Sequence, residues 1–136
     1  MKIEYLTIET VEYLHQLVLD KDGGLPGIHR SKLEAKLALP MAGFGDYEHY
    51  PTVVEKAAVY LYELATGHCF MDGNKRTAYT STYVFLDLNG YHLVATDDEI
   101  VTFVLKIANN ETRPPFEKVV RWIEAHVIEH STNLEE

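Results

Sequence analysis

One segment gathers the side chains best able to do chemistry: His68-Cys69-Phe70-Met71-Asp72-Gly73-Asn74-Lys75-Arg76. Imidazole titrates near neutrality, so His68 can take a proton from an attacking hydroxyl. The carboxylate of Asp72 can cap a helix, and beside phosphate oxygens it can help hold a magnesium ion. Gly73 lets the backbone come close to a ligand, and Asn74, Lys75 and Arg76 follow at once. A helix start presents unpaired N–H groups and the positive end of the dipole, which favours an anion. Two cations placed there lose about 0.3–1 kcal/mol each unless an anion offsets them. In an acidic chain this pattern reads as a phosphate cradle, although a plain capped helix with solvated basic residues has the same spacing. Phe70 reads as the apolar anchor of the loop. Cys69 reads as a small buried filler, because no second base or orienting group is placed to make it a nucleophile.

These residues need a scaffold, and the periodicity supplies one. Ala78, Ser81, Thr82, Phe85 and Leu88 recur at helical steps, giving a central helix over Gly73–Leu88 that stops at Asn89-Gly90. Thr52-Val53-Val54-Glu55 is a capping box. It opens a helix with Val53, Ala57, Tyr60, Leu61 and Leu64 inside, which ends at Thr66-Gly67 and delivers the chain to His68. A first helix begins after Thr7, carries the stripe Ile8, Val11, Leu14, Leu17 and Val18, and ends near Asp20. The loop Gly23-Gly24-Leu25-Pro26-Gly27 is either a connector or a rim of the site. Ser31-Lys32-Leu33-Glu34 reads as a second box, opening a short helix closed by Pro40. Tyr91–Val94 alternates like a short strand. Thr96-Asp97-Asp98-Glu99 is a further box, followed by Ile100, Phe103, Val104 and Ile107. Pro114-Pro115 starts the last helix, with Phe116, Val119, Val120, Ile123 and Val127 inward and Trp122 beside them. The sum is an all-α domain of roughly six helices with at most a small hairpin. It spans residues 1–130, with 131–136 as a frayed tail.

Size and charge narrow the function. With 136 residues, the chain holds one domain with a real core. Its formal charge of −9, from 12 basic and 21 acidic residues, argues against a nucleic-acid or anionic-membrane surface. A single cysteine excludes an internal disulfide and fits a reducing cytoplasm. No long apolar run suggests a leader or a membrane span.

The pattern His68-x-Phe70-x-Asp72-Gly73-Asn74-Lys75-Arg76 resembles the signature of the Fic/Doc superfamily, and its Lys75-Arg76 form resembles the Doc (death-on-curing) toxin branch. The similarity runs from about Tyr5 to about His130 and includes Gly24-Leu25-Pro26-Gly27, Tyr50-Pro51-Thr52 and Asn89-Gly90-Tyr91. The resemblance implies a compact helical bundle around a central helix, with a small flap or β-hairpin. The segment Met41–Tyr50, with Gly43, Phe44, Gly45 and Tyr47, corresponds to the flap that lines up a target polypeptide by strand addition in such proteins. A surface loop tacked down by Phe44 is the alternative.

The resemblance also implies roles. The amides of Gly73, Asn74 and Lys75 would carry the phosphates of ATP, and Arg76 would hold one phosphate with its planar fork. Asn74 would orient the transferred group, Asp72 would bind Mg2+ and His68 would be the general base. In the Fic branch a glycine stands at Lys75 and a further arginine at Tyr79, and those proteins transfer AMP to protein hydroxyls. Doc-type toxins with this lysine resemble kinases that turn ATP round and transfer its γ-phosphate. The implied activity is therefore phosphorylation of a Ser/Thr hydroxyl on translation elongation factor Tu, which blocks protein synthesis and is neutralised by a cognate antitoxin. Adenylyl transfer from the same site is the alternative. Ser131-x-x-x-Glu135-Glu136 matches the self-inhibiting pattern of Fic proteins only partly and is read as chance.

Overall fold

A computed structural model describes residues 2–130. The elements run α1 (Ile8–Asp22), α2 (Arg30–Ala38), a 3-10 turn (Leu39–Met41), β1 (Gly43–Phe44), β2 (Tyr47–Glu48), α3 (Val53–Thr66), α4 (Asn74–Leu88), β3 (Tyr91–Leu93), α5 (Asp97–Ala108), α6 (Phe116–Ala125) and β4 (Val127–Glu129). The fold is a mostly helical bundle with two small antiparallel sheets, β1–β2 and β3–β4. The tail and its Ser131 pattern lie outside the described residues.

Helix α4 sits at the centre and packs on α1, α3, α5 and β3. Small residues make this possible. Ala57 and Ala58 of α3 and Ala78 and Ser81 of α4 are all fully buried, so the two helices can approach closely. The same crowding leaves the Thr77 and Ser81 hydroxyls buried without hydrogen-bond partners among the described residues. Phe85 fills the space beyond, between Tyr60 at 4.8 Å and Tyr5 at 6.4 Å between ring centroids. Leu88 departs from the expected stripe: it is exposed, and Leu86 is buried instead. The far end of α4 is locked by Asn89. Its side chain donates to the Phe85 and Glu4 carbonyls and accepts from the Glu4 N–H.

Two of the three expected capping boxes form. Thr52 with Glu55 and Thr96 with Glu99 exchange both bonds. The box at Ser31 does not form, because α2 starts earlier. Its N-cap is His29, whose Nδ1 accepts from Lys32 N–H at 3.3 Å. His29 is fixed there by a long-range bond from its own N–H to the Cys69 carbonyl, 2.8 Å. In α1 the inward stripe is Val11, Leu14, His15, Val18 and Leu19, while Leu17 is 43% exposed.

The β1–β2 hairpin stands out from the bundle, with Phe44 75% and Tyr47 53% exposed. Phe44 therefore does not tack the segment down. Its tie is Lys56 of α3, which is fully buried. The Lys56 ammonium donates to Glu48 Oε1 at 2.6 Å and to the Tyr50 carbonyl, and lies 5.9 Å from the Tyr5 ring centroid. Burying a cation this way is tolerable only because its donors are satisfied.

Candidate active site

The segment that links α3 to α4 is a short, tightly braced loop. Gly67 closes α3, and a Cβ there would lie 2.6 Å from the Glu63 carbonyl oxygen, so only glycine fits. His68 follows in the left-handed region at φ 51°, alone among the described non-glycine residues. Such a backbone costs of order 1–3 kcal/mol and persists where the surroundings enforce it. Its side chain is exposed to solvent.

Cys69 and Phe70 then turn inward, both buried. Burial pushes the Cys69 thiol above its ordinary range, and Lys32 and Lys36 offset this only in part. A thiol held protonated is a poor nucleophile, so the filler reading stands. Phe70 stacks on His15 with ring centroids 4.0 Å apart.

The glycine-rich loop forms one wall. Gly27 O accepts from Met71 N–H at 2.9 Å, and Ile28 bridges Phe70 in antiparallel fashion. Leu25 N–H donates to Asp72 Oδ2 at 2.7 Å. A Cβ on Gly24 would sit 3.0 Å from Asp72 Cβ, so that glycine makes room for the carboxylate. The segment is thus a rim of the site rather than a connector.

Asp72 is not the helix cap. Gly73 takes that position at φ 83°, with no side-chain cap bond. The Asp72 carboxylate is turned away to Leu25, and its carbonyl is held at 2.8 Å by the Nε2 of His15. A Cβ on Gly73 would meet Val18 Cγ1 at 3.3 Å and the His15 ring at 3.5 Å. The first helical bond of α4 runs from Thr77 N–H to Gly73 O, 2.9 Å. The amides of Gly73, Asn74 and Lys75 precede it and have no intrahelical carbonyl to reach.

The side chain of Asn74 is committed to the loop. It accepts from Phe70 N–H at 3.0 Å and donates to Phe70 O at 2.9 Å. A role in orienting a transferred group through that side chain is therefore set aside, and its backbone amide remains. Lys75 and Arg76 are exposed. Arg76 reaches Asp22 at 3.6 Å and the Tyr79 hydroxyl at 3.4 Å, both loose contacts that a better acceptor can displace.

Beside Lys75, Arg76 and Tyr79 a cleft of about 130 Å³ opens against Val101, Val104 and Leu105 of α5. That is too small for a whole nucleotide, whose sites run to several hundred Å³, but it suits an apolar portion of one. A far larger open groove, about 980 Å³, lies between α5 and α6 and includes none of the residues 68–76. The hydrogen bonds and ring contacts of Gly43, Phe44 and Tyr47 stay within the hairpin and its neighbours, so these give no bond to the His68 loop.

The segment thus carries an exposed imidazole, a helix start without a side-chain cap and two exposed cations within nine residues. A match to the Fic/DOC family model covers residues 5–86 and therefore includes this whole segment. The chain belongs to the Fic/DOC family. Among curated relatives, it is 42% identical over 66 residues to "Toxin Doc" of Mycolicibacterium smegmatis, covering 48% of this chain and 51% of that protein. It is 36% identical over 89 residues to "Protein kinase doc" of Escherichia phage P1, covering 65% of this chain and 70% of that one. The chain thus matches about half the length of the first of these relatives. The matched segment spans α1, the glycine rim and most of α4, the elements that brace the loop. Sequence reading missed one participant, His15. Its spacing from Val11 and Val18 marks it as an inward position of the α1 stripe, and a polar ring there signals a buried bond.

Among the described residues, no helix is long and apolar enough to cross a membrane.

Proposed function

We propose that this Fic/DOC protein is a toxin-like phosphotransferase that moves the γ-phosphate of ATP to a Ser/Thr hydroxyl of a protein target. The observation that carries this reading is the pairing of His68 with the uncapped start of α4. The exposed imidazole, on a left-handed backbone, stands just upstream of amides that have no side-chain cap among the described residues. The name of the phage relative, a protein kinase, favours phosphoryl transfer.

In this reading the phosphates of ATP rest on the Gly73, Asn74 and Lys75 amides, with Arg76 released from Asp22 to grip one of them. Asp72 would hold a Mg2+ ion through the carboxylate oxygen that Leu25 N–H does not occupy. When bound, that ion neutralises charge on the phosphates. His68 accepts the hydroxyl proton as the hydroxyl oxygen bonds to the γ-phosphorus. The bond from that phosphorus to the β-bridging oxygen breaks, and ADP leaves with the electron pair. The lysine side chain at position 75 and the tyrosine at 79 support this orientation of ATP over the one that exposes the α-phosphate.

Translation elongation factor Tu is the proposed target, a cognate antitoxin the proposed inhibitor and the cytoplasm the proposed compartment. The test is incubation of the protein with ATP labelled at the α- or the γ-phosphate and purified elongation factor Tu. Label should reach the target from the γ position only. Transfer from the α position instead would replace this reading with adenylyl transfer.

A further inference from the structure

The opposite end of α4 carries a second cluster of donors. Asp87 lies in its last turn, His92 on β3 and His130 just past β4. Asp87 Oδ1 is 3.3 Å from His92 Nδ1 and 3.0 Å from His130 Nε2. One donor atom from each of the three lies within 4.8 Å of the others.

Asp87 and His92 are neighbours across the turn that leaves α4, and the third donor comes from far along the chain. Asp87 and His130 are 43 residues apart in sequence. The β3–β4 pairing sets His92 opposite Ile128, and His130 N–H donates to the Gly90 carbonyl at 2.9 Å. Those two bonds fold the strand end back over the helix terminus. The two imidazole rings meet edge-on at 86° with centroids 6.2 Å apart, so both offer nitrogens to Asp87 instead of stacking.

We propose that Asp87, His92 and His130 bind a zinc-like divalent transition-metal ion. Two imidazoles and a carboxylate form a donor set that zinc accepts, with water in the fourth position. A tetrahedral ion with bonds of about 2.0–2.1 Å spaces its ligand atoms about 3.3 Å apart. The two Asp87 distances already sit near that value, and the third pair of donor atoms lies within 4.8 Å. Imidazole donors favour zinc, copper or nickel over magnesium and calcium, which take oxygen. The chain's charge of −9 raises the local concentration of cations. His130 Nε2 also lies 2.8 Å from the Tyr91 carbonyl oxygen, so in the metal-free protein that nitrogen carries the hydrogen.

This ion is distinct from the Mg2+ proposed at Asp72. The two carboxylates are separated by the length of α4, roughly 20 Å at 1.5 Å per residue. Its role would be to staple the β3–β4 sheet to the end of the central helix, not to take part in transfer.

The experiment uses the full chain stripped of metal by a chelator. Zinc is titrated by calorimetry, Co2+ serves as a spectroscopic probe of tetrahedral coordination, and Tm is followed with each. The expected result is a saturable site, a tetrahedral cobalt spectrum and a zinc-dependent rise in Tm. D87N, H92Q and H130Q should each weaken zinc binding by at least the roughly 10–100-fold that loss of even an outer-shell partner costs. Circular dichroism without metal checks that each variant is folded. H68N should bind zinc like the wild type, which separates this cluster from the His68 segment. Wild-type affinity in all three cluster variants, or neither a cobalt spectrum nor a Tm shift in the wild type, overturns the proposal.

Discussion

Helices α3 and α5 begin in one way and α4 in another. At α3, Thr52 and Glu55 satisfy each other's amides at 3.0 Å in both directions, and Thr96 and Glu99 do the same at α5 with 2.8 and 3.1 Å. At each start two of the orphan amides are satisfied. Helix α4 begins at a left-handed glycine with no side-chain cap, although Asp72 stands next to it and could have served. Instead, Leu25 and His15 hold Asp72 by its carboxylate and its carbonyl. With glycine in the cap position, forgoing the side-chain cap costs about a few tenths of a kcal/mol. The loss falls at a helix start where two cations, Lys75 and Arg76, also stand and no acidic residue offsets them. The difference teaches that a helix can be packed on four neighbours while its first turn is left without a side-chain cap, the turn that the proposed function gives to phosphate.

The contrast can be broken most severely at His68. Replacing it with alanine or asparagine should cut transfer to a protein target by about 10²–10⁴-fold, the usual worth of a general base. Asparagine tolerates left-handed backbone, so H68N should unfold in urea at the wild-type midpoint. Transfer that survives in H68N would remove the imidazole from the reaction.

A smaller effect is expected at the helix start itself. Gly73→Ala places a Cβ against Val18 and His15 at a φ of 83° and should cost about 1–3 kcal/mol in urea unfolding, with weaker ATP binding. Gly23 has nearly the same φ, 81°, but nothing within 4 Å of an added Cβ. Its backbone, at ψ −177°, lies where almost only glycine is found, so Gly23→Ala should also cost stability but leave ATP binding alone. Equal losses of ATP binding in the two variants would mean that α4 has no special first turn. Opening a sealed start should matter less still: Thr96→Ala is expected to lose about 1 kcal/mol of stability, with transfer unchanged.

The mildest signal comes from the core beneath. Burial pushes the Tyr60 hydroxyl up to about 12, against an ordinary 10.0, with the Leu6 amide bond opposing. A raised folded value means that the unfolded chain loses this proton first. Stability from Tyr60 is then complete below pH 10 and falls as pH rises towards 12. Urea midpoints across that window should decline less in Tyr60→Phe than in the wild type.

How much of this could be read from residues alone depends on range. The boxes at Thr52 and Thr96 and the inward faces of α3 and α5 depend on neighbours within a turn or two, and both were legible. The central helix was legible too, because small residues at helical spacing leave few other placements. Ser31 failed as a cap because His29 is pinned to Cys69, a contact that no local pattern encodes. Asp72 failed for the same reason, with its partner Leu25 47 residues away. Asn74 looked like a ligand-facing amide, but it closes a ring with Phe70 that depends on the loop's fold. Lys56 was invisible, since a lysine among alanines on a helix is ordinarily a surface residue.

That lysine has a consequence for the exposed hairpin. Swinging β1 and β2 outward would pull Glu48 and the Tyr50 carbonyl off an ammonium that has no water to turn to. The hairpin is therefore moored, not hinged. Whatever meets Phe44 and Tyr47 must come to a stationary rail and adjust its own shape to it.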